Sequence, residues 1–577
     1  MKKKILPVIA FIAVVVLIIA IIGISSLVKR YTPSKERMEL SEYFNISSDD
    51  EIAIVLNREK FEYKAKIINN ETYLDYKFVH DYINPRFYWD ENENILLYAT
   101  SNGLISASAD ANSYLTNKST TDYKCPVVKA TSDSALIEID FVLQYSDFTY
   151  ELFEKPNRLV MNNKWGKIET ASVKKDTQLR VKGGIKSDIL KDLEKGSSIN
   201  VIEVGDNWTK VMSPDGVIGY IKSKYVVDNK TVKLKNPDYV EDKLPHIEKD
   251  FKICMAWHQV TTSSANSNIA NVISSTKGVN VISPTWFYLN DNKGNIVDLA
   301  SSNYVNYCHQ QGIEVWALVS NLENPDVDST CVLTHTSTRQ YLVNQIIAAA
   351  IKYELDGINL DFEALDGNAV GDAYIQFVRE LAIKCSNNGI VLSVDNYVPT
   401  SYTAFYNRKE QANFADYVVI MGYDEHYKGS DAGSVSSLKW VDQGVRDTLE
   451  SVPEKQVILG MPFYTRLWSL VANEADTEPT TEEDAITYET TSTVYGMTSA
   501  ANLLKEKGIQ PEWIAEDGQN YATWNEGNVT YKIWLENASS TEERLKLVSQ
   551  YSLAGASFWK LGFESSDVWD TVIKYIN

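Results

Sequence analysis

From residue 251 onward, short apolar runs alternate with longer stretches of helical periodicity. Eight runs read as strands: Ile253–Trp257, Val279–Phe287, Glu314–Val319, Asp356–Glu363, Val391–Asp395, Tyr417–Asp424, Val457–Phe463 and Gly555–Trp559. A helical pattern around Tyr341–Ala350 leads into the fourth. Strand and helix patterns that alternate predict a parallel sheet with its helices outside. Eight such repeats predict an α/β fold, a (β/α)8 barrel, with its chemistry at the carboxy ends of the strands. Residues of about 470–550 exceed a normal crossover and carry Trp513, Tyr521, Trp524, Tyr531 and Trp534. They are expected to form an α+β insertion between strands seven and eight, walling one side of a cleft.

Upstream the pattern changes twice. Ile5–Leu27 is almost continuously apolar, with Lys2, Lys3 and Lys4 before it and Lys29 and Arg30 after. An apolar stretch of about 20 residues spans a bilayer as a helix. A cleaved leader has a shorter apolar core and a small-x-small exit site. Residues 1–30 therefore predict a cytoplasmic stub and a transmembrane signal anchor, single-pass, with everything after it on the extracellular side; cleavage after Ser25-Ser26 is the alternative. Residues 31–44 are a polar spacer. Residues 45–172 show short alternating runs, such as Ile52–Leu56, Phe61–Ile67 and Ala135–Ile139, split by turns such as Asp90–Asn94. That is a β-rich domain. Residues 173–232 form a second one, with Thr177–Val181, Asn207–Val211 and Gly219–Ile221 among its runs. Residues 233–250, with Pro237 and Pro245, read as a linker to a domain spanning 251–577.

Composition narrows the function. With 577 residues and 44% apolar residues, several packed domains are expected and long disorder is not. A net charge of −21 disfavours nucleic acid as a partner, because phosphate binding needs clustered Lys and Arg. A neutral polymer such as a glycan is compatible, and 34 Tyr and 13 Trp supply faces on which sugar rings stack. The five cysteines form no Cys-x-x-Cys pair, so zinc is not expected. No metal, nucleotide or flavin motif occurs, and no cofactor is expected.

The fourth strand carries the chemistry. Side chains on a strand alternate between faces, so Asn359, Asp361 and Glu363 share one face. Carboxylates are costly to bury beside Ile358, Leu360 and Phe362. Either the face is solvated at a sheet edge, or the acids form an acid/base site and push each other's pKa values apart. Asp356, Gly357, Asp361 and Glu363 match the Asp-Gly-x-Asp-x-Asp-x-Glu signature of glycoside hydrolase family 18, the chitinase-like barrels, which this segment resembles. Asn359 departs from it in place of the middle aspartate. Met421-Gly-Tyr423-Asp424 resembles the family's Met-x-Tyr-Asp motif. Gly460–Arg466 resembles its Gly-x-Pro-x-Tyr-x-Arg motif, and Trp559 its pocket-floor tryptophan. The region from 424 to 466 looks closest to the spore-cortex-lytic and germination branch. Residues 173–232 resemble bacterial Src-homology-3-like barrels, and residues 45–172 the amino-terminal domain of copper amine oxidases, without a His cluster for copper.

The resemblance implies a glycosidase acting at N-acetylglucosamine in peptidoglycan, membrane-anchored through the apolar stretch, with chitin as the alternative substrate and a non-catalytic glycan-binding protein as the alternative of another class. It implies Glu363, Asp361 and Tyr423 as catalytic residues. Asp424, Trp559, Tyr464, Arg466, Asn359 and Trp286 are expected to bind substrate, and Asp356, Gly357 and Met421 to hold the motif. Asn359 is expected to remove a like charge while keeping a hydrogen-bond donor for Asp361.

Overall fold

The computed structural model describes residues 6–472 and 488–576. Residues 473–487 of the expected insertion, residues 1–5 of the expected stub, and Asn577 lie outside the described residues. The chain divides into two compact units. One holds the residues to Trp89, Ala107–Tyr114 and Thr120–Glu241; the other holds Asp90–Ser106, Leu115–Ser119 and the residues from Asp242 on.

In the first unit, helix Leu6–Tyr31 is apolar and exposed along its described length. Its 25-residue stretch Pro7–Tyr31 is long and apolar enough to cross a membrane. At about 1.5 Å per residue it exceeds the ~30 Å hydrocarbon thickness. A mixed seven-stranded sheet follows, in which Glu51–Leu56 pairs in parallel with Arg158–Asn162 and antiparallel with Glu59–Ile68. A second seven-stranded sheet, wholly antiparallel, runs from Gly166 to Leu234. Leu179, Ile199, Val211 and Ile221 alternate inward from its strands and are buried. The period-two pattern along the sequence is therefore met by burial of one face.

The second unit contains the barrel. Its strands are β1 (Ile253–His258), β2 (Val281–Leu289), β3 (Glu314–Ser320), β4 (Gly357–Asp361), β5 (Val391–Tyr397), β6 (Tyr417–Met421), β7 (Val457–Pro462) and β8 (Gly555–Trp559). All pair in parallel with their neighbours, and the β8–β1 and β1–β2 ladders close the ring. Met255, Trp257, Trp316, Leu318, Val391, Val419 and Ile458 belong to the core cluster within it. A Cβ on Gly357 would lie 2.7 Å from the Trp316 ring, so this signature glycine makes room for the core indole. Asp356 precedes β4 and accepts from the Val315 N–H and from His309 Nε2, each at 2.8 Å. It fixes β4 against β3 from the end opposite the site.

Three helices matter below: α1 (Thr336–Tyr353), α2 (Ala373–Asn387) and α3 (Ala538–Gln550). The first turn of α1 has free N–H groups, as every helix does. Asp90 Oδ2 accepts from the Thr336 N–H at 2.6 Å and from its hydroxyl at 2.5 Å, and Glu93 Oε2 accepts from the Ser337 N–H at 3.0 Å. Replacing Asp90 with Ala is expected to destabilise the second unit by about 1 kcal/mol. Denaturant titration against the parent protein measures this.

Between β7 and β8 the described residues form an antiparallel sheet, Tyr488–Gly496, Tyr464–Ala472, Val529–Leu535, Gln519–Glu526 and Glu512–Ile514 in spatial order, with helix Met497–Lys507. Leu467, Ala500, Leu504, Ala522 and Ile533 make its core. The long gap between apolar runs is thus a folded α+β insertion.

Candidate active site

The carboxy ends of β1, β4, β5, β6 and β8 bring the expected residues together with several the sequence did not single out. Trp257, next to last on β1, is buried. Its ring meets Trp559 edge-on with centroids 5.9 Å apart, and Tyr423 at 6.3 Å. Trp559 and Tyr423 are partly exposed. They form an aromatic floor with one wet side, the arrangement a sugar ring needs. The Phe463 N–H donates to the Trp559 carbonyl at 2.7 Å and the Leu561 N–H to the Trp257 carbonyl at 3.0 Å. The chain after each aromatic is thereby pinned.

Strand β4 ends at Asp361, and Glu363 stands just past it. Asn321 holds the Glu363 backbone twice, accepting from its N–H at 2.8 Å and donating to its carbonyl at 2.9 Å. Ala364 follows with φ of 52° and donates its N–H to the Tyr397 hydroxyl at 3.1 Å. The strand therefore stops on a turn that fixes where the Glu363 carboxyl stands. Burial pushes the Glu363 pKa up, the Tyr397 hydroxyl bonded to its carboxylate pulls it down, and Asp424 and Glu323 push it up again. Removing the Tyr397 hydroxyl takes away a donor to the charged form, so the pKa rises. In Tyr397→Phe the basic limb of the pH–activity profile is expected to move up by about one unit, since a hydrogen bond to a charged group is worth roughly 1.5 kcal/mol or more.

Asp361 keeps some exposed surface, but its Oδ1 is shut off from solvent and has no hydrogen-bond partner among the described residues. Its pKa is held well above the carboxylate range by burial first, then by Glu363, Asp395 and Glu323. Asp395, on β5, is 2% exposed. Burial raises its pKa and the Asn359 amide lowers it.

Asn359 corrects one expectation. It is fully buried, and its Oδ1 accepts from Trp257 Nε1 at 2.8 Å and Ser283 Oγ at 3.0 Å. Its Nδ2 donates to Asp395 Oδ1 at 2.7 Å and Ser393 Oγ at 3.0 Å. All four capacities of the amide are used, and none goes to Asp361. The reason is the closed barrel: β1, β2 and β5 converge on the middle of β4, whereas Asp361 lies one pleat nearer the mouth.

Asp424 follows Tyr423 with φ of 59° and is exposed. Tyr464 donates to its Oδ1 at 2.6 Å, and Arg466 lies 3.4 Å from the same oxygen. Tyr464 also meets the Tyr423 ring edge-on at 6.3 Å. Met421, buried at the end of β6, pairs with Gly460 and Tyr397. Trp286 does not join the group. It has no exposed surface, donates to Asn266 Oδ1 at 2.8 Å and packs edge-on against Tyr304 at 4.9 Å. Ser283 faces Asn359 inside the barrel, and the alternation along β2 turns Trp286 to the other face.

Sequence reasoning passed over Asp395, Tyr397, Trp257, Ser283 and Asn321. Asp395 closes the run Val391-Leu-Ser-Val394, which was the available signal: an acid ending a buried strand.

A closed parallel barrel with acids at its strand ends beside a half-wet aromatic floor has the parts that glycan cleavage needs. Residues 309–564 match the family described as Glycosyl hydrolases family 18, and residues 175–227 match the Bacterial SH3 domain. From β3 to β8 the chain thus carries a glycosyl hydrolases family 18 domain. The chain is 25% identical over 308 residues to the uncharacterized glycosylase YvbX of Bacillus subtilis (strain 168), covering 51% of this chain and 84% of YvbX. It is 24% identical over 285 residues to the cortical fragment-lytic enzyme of the same organism, covering 48% of this chain and 63% of that one. The aligned stretch thus spans less than two thirds of the second relative. A solved structure described as the carboxy-terminal domain of a chitinase from Desulfitobacterium hafniense DCB-2 shares the fold at a TM-score of 0.51 and 18% identity, covering 57% of this chain and all of that one.

Proposed function

We propose that the protein is a membrane-anchored, extracellular glycosidase that cleaves β-1,4 bonds at N-acetylglucosamine in peptidoglycan by substrate-assisted, retaining catalysis. The observation that carries this reading is Glu363. It is half-buried, its backbone is held by Asn321, its carboxyl pKa is raised, and it acts electrostatically on Tyr423 of the aromatic floor. A carboxyl whose pKa is raised holds its proton to higher pH, which suits it to protonate a leaving oxygen.

In this reading the substrate's own 2-acetamido oxygen attacks the anomeric carbon as Glu363 gives its proton to the glycosidic oxygen. Glu363 then takes a proton from the water that opens the oxazolinium-like intermediate. Asp361 accepts from the acetamido N–H and Tyr423 donates to the acetamido carbonyl oxygen, so both act where charge develops. Asp424, steadied by Tyr464 and Arg466, holds the pyranose hydroxyls, and Trp559 stacks beneath the ring. The relative named as a cortical fragment-lytic enzyme supports a cell-wall substrate. The helix Leu6–Tyr31 supports an anchor, and the SH3 domain a role in keeping the enzyme on or near wall material. The likeness of residues 45–172 to the amino-terminal domain of copper amine oxidases belongs to the same proposal.

The test is hydrolysis of purified peptidoglycan and of chitin oligosaccharides by residues 31–577, with mass spectrometry of the new reducing ends. Muropeptides ending in N-acetylglucosamine support the proposal. Turnover of chitin oligosaccharides alone moves the substrate to chitin. Binding without turnover of either polymer makes the protein a glycan-binding one.

A further inference from the structure

Two acids, Asp361 and Asp395, stand close enough to act on each other electrostatically and are bonded differently. Asp395 Oδ1 accepts a 2.7 Å hydrogen bond from an amide that cannot turn. The Asn359 carbonyl oxygen is already claimed by Trp257 Nε1 and Ser283 Oγ, which are donors facing it from β1 and β2. Flipping the amide would aim its N–H groups at the indole N–H and its oxygen at the Asp395 carboxylate. The N–H groups therefore face Asp395 permanently. Asp361 Oδ1 is equally removed from water and has no donor among the described residues. No Lys, Arg or His forms an ion pair with either acid among the described residues. An ionised oxygen without a donor in such a place is costly, whereas one receiving an amide N–H is much less so.

We infer that Asp395 is a positioning residue that carries the negative charge of this pair in the free protein, leaving the proton on Asp361. The fixed Asn359 amide selects the site of charge. Asp395 in turn sets the pH at which Asp361 ionises, and so when Asp361 is ready to accept from an acetamido N–H. The inference rests on the glycosidase reading for its consequence in catalysis, but not for the placement of the proton.

Other groups facing the pair act on both acids. Glu363 stands just past Asp361 and the end of β4, and Glu323 follows β3. Tyr423 reaches in from β6 and Tyr374 from α2, and both are pushed up by burial and by these acids. Tyr397 lies on β5 beyond Asp395. Tyr406 feels Asp361, and its hydroxyl donates to the Phe362 carbonyl at 3.0 Å. Arg408, the cation on this side, donates to the carbonyls of Thr403 and Tyr397 at 3.2 Å and 2.7 Å. It reaches neither carboxyl with a hydrogen bond.

Two readouts test this on residues 31–577. The first is infrared titration of the protonated-carboxyl stretch, which needs no substrate. In the parent protein a band titrating above the ordinary carboxylate range is expected, which Asp361→Asn should abolish. Glu363 and Glu536 also titrate above their ordinary value, so the band to follow is the one by which the parent differs from Asp361→Asn. Asp395→Asn should keep it but move its midpoint down by about one pH unit, because a neighbouring negative charge is gone. The carboxamide introduced by Asp395→Asn still offers an oxygen to the Asn359 amide, so the fold is expected to stand. The second readout is the pH profile of kcat/KM on the cleaved glycan, whose acid limb should move down in Asp395→Asn. Asn359→Asp/Asp395→Asn, which returns the acid to β4, should bring it back toward the parent. A band lost in Asp395→Asn and retained in Asp361→Asn overturns the inference, as does an unmoved midpoint. If no glycan is cleaved by the parent, the proposed function fails while the infrared result still decides the placement of the proton.

Discussion

Glu363→Gln is expected to lower kcat by about 10²–10⁴-fold on whichever glycan the parent cleaves, with the fold and glycan binding retained. Glutamine has the shape of the acid and lacks its proton. The backbone that positions residue 363 is held by Asn321 through two main-chain hydrogen bonds, which the substitution does not touch. Nothing in the aromatic floor changes either. The loss should therefore lie in kcat, with KM and the near-ultraviolet circular dichroism spectrum unchanged. A loss under tenfold would assign the proton transfer to another group. A loss accompanied by a collapsed spectrum would mean that the side chain holds the fold rather than the reaction.

Arg544→Leu is expected to cost about 3–5 kcal/mol of stability in the second unit, because it leaves a buried acid alone. Arg544 is 1% exposed on α3. It donates to both oxygens of Glu536, at 3.1 Å and 3.0 Å, to the Ser540 carbonyl at 2.8 Å and to the Ser436 hydroxyl at 2.9 Å. Glu536 is also 1% exposed and accepts from Gln519 Nε2 at 2.6 Å. Burial pushes Glu536 up to about 7 even with the arginine beside it. A pKa raised in the folded state means that stability present at low pH is lost as pH rises through that value. Without Arg544 the folded pKa rises further, so the variant should be closest to the parent near pH 5 and weakest above pH 7. Denaturant titrations across that range check the slope. Adding Glu536→Gln should recover much of the loss, since the uncompensated charge goes with it. The same network reaches the site: Ser436 Oγ donates to the Gly422 carbonyl at 2.5 Å, one residue before Tyr423. Arg544→Leu is therefore expected to lower activity as well.

The barrel was legible because its strands are buried on both faces and so read as continuous apolar runs. Val457–Met461 and Gly555–Phe558 are buried at every position, which no amphipathic helix would show. Asp361, Glu363, Tyr423, Asp424 and Trp559 were legible because a parallel barrel places its strand ends at one mouth, whatever the helices between them do. Trp286, expected at the site from the resemblance, lies on the other face of β2 from Ser283, buried against Asn266 and Tyr304. Asp395 was passed over because its meaning is set by Asn359, 36 positions earlier.

The chain's own order of residues determined the eight runs, the signature glycine that clears Trp316, and the acids at the end of β4. Those follow from period, size and polarity, which are local. Only closure of the barrel decided which groups meet Asn359, that its amide turns to Asp395 rather than to Asp361, and that one carboxyl oxygen is left dry without a donor among the described residues. Hydrogen-bond direction and desolvation depend on neighbours brought from β1, β2 and β5, and a linear pattern carries no record of them.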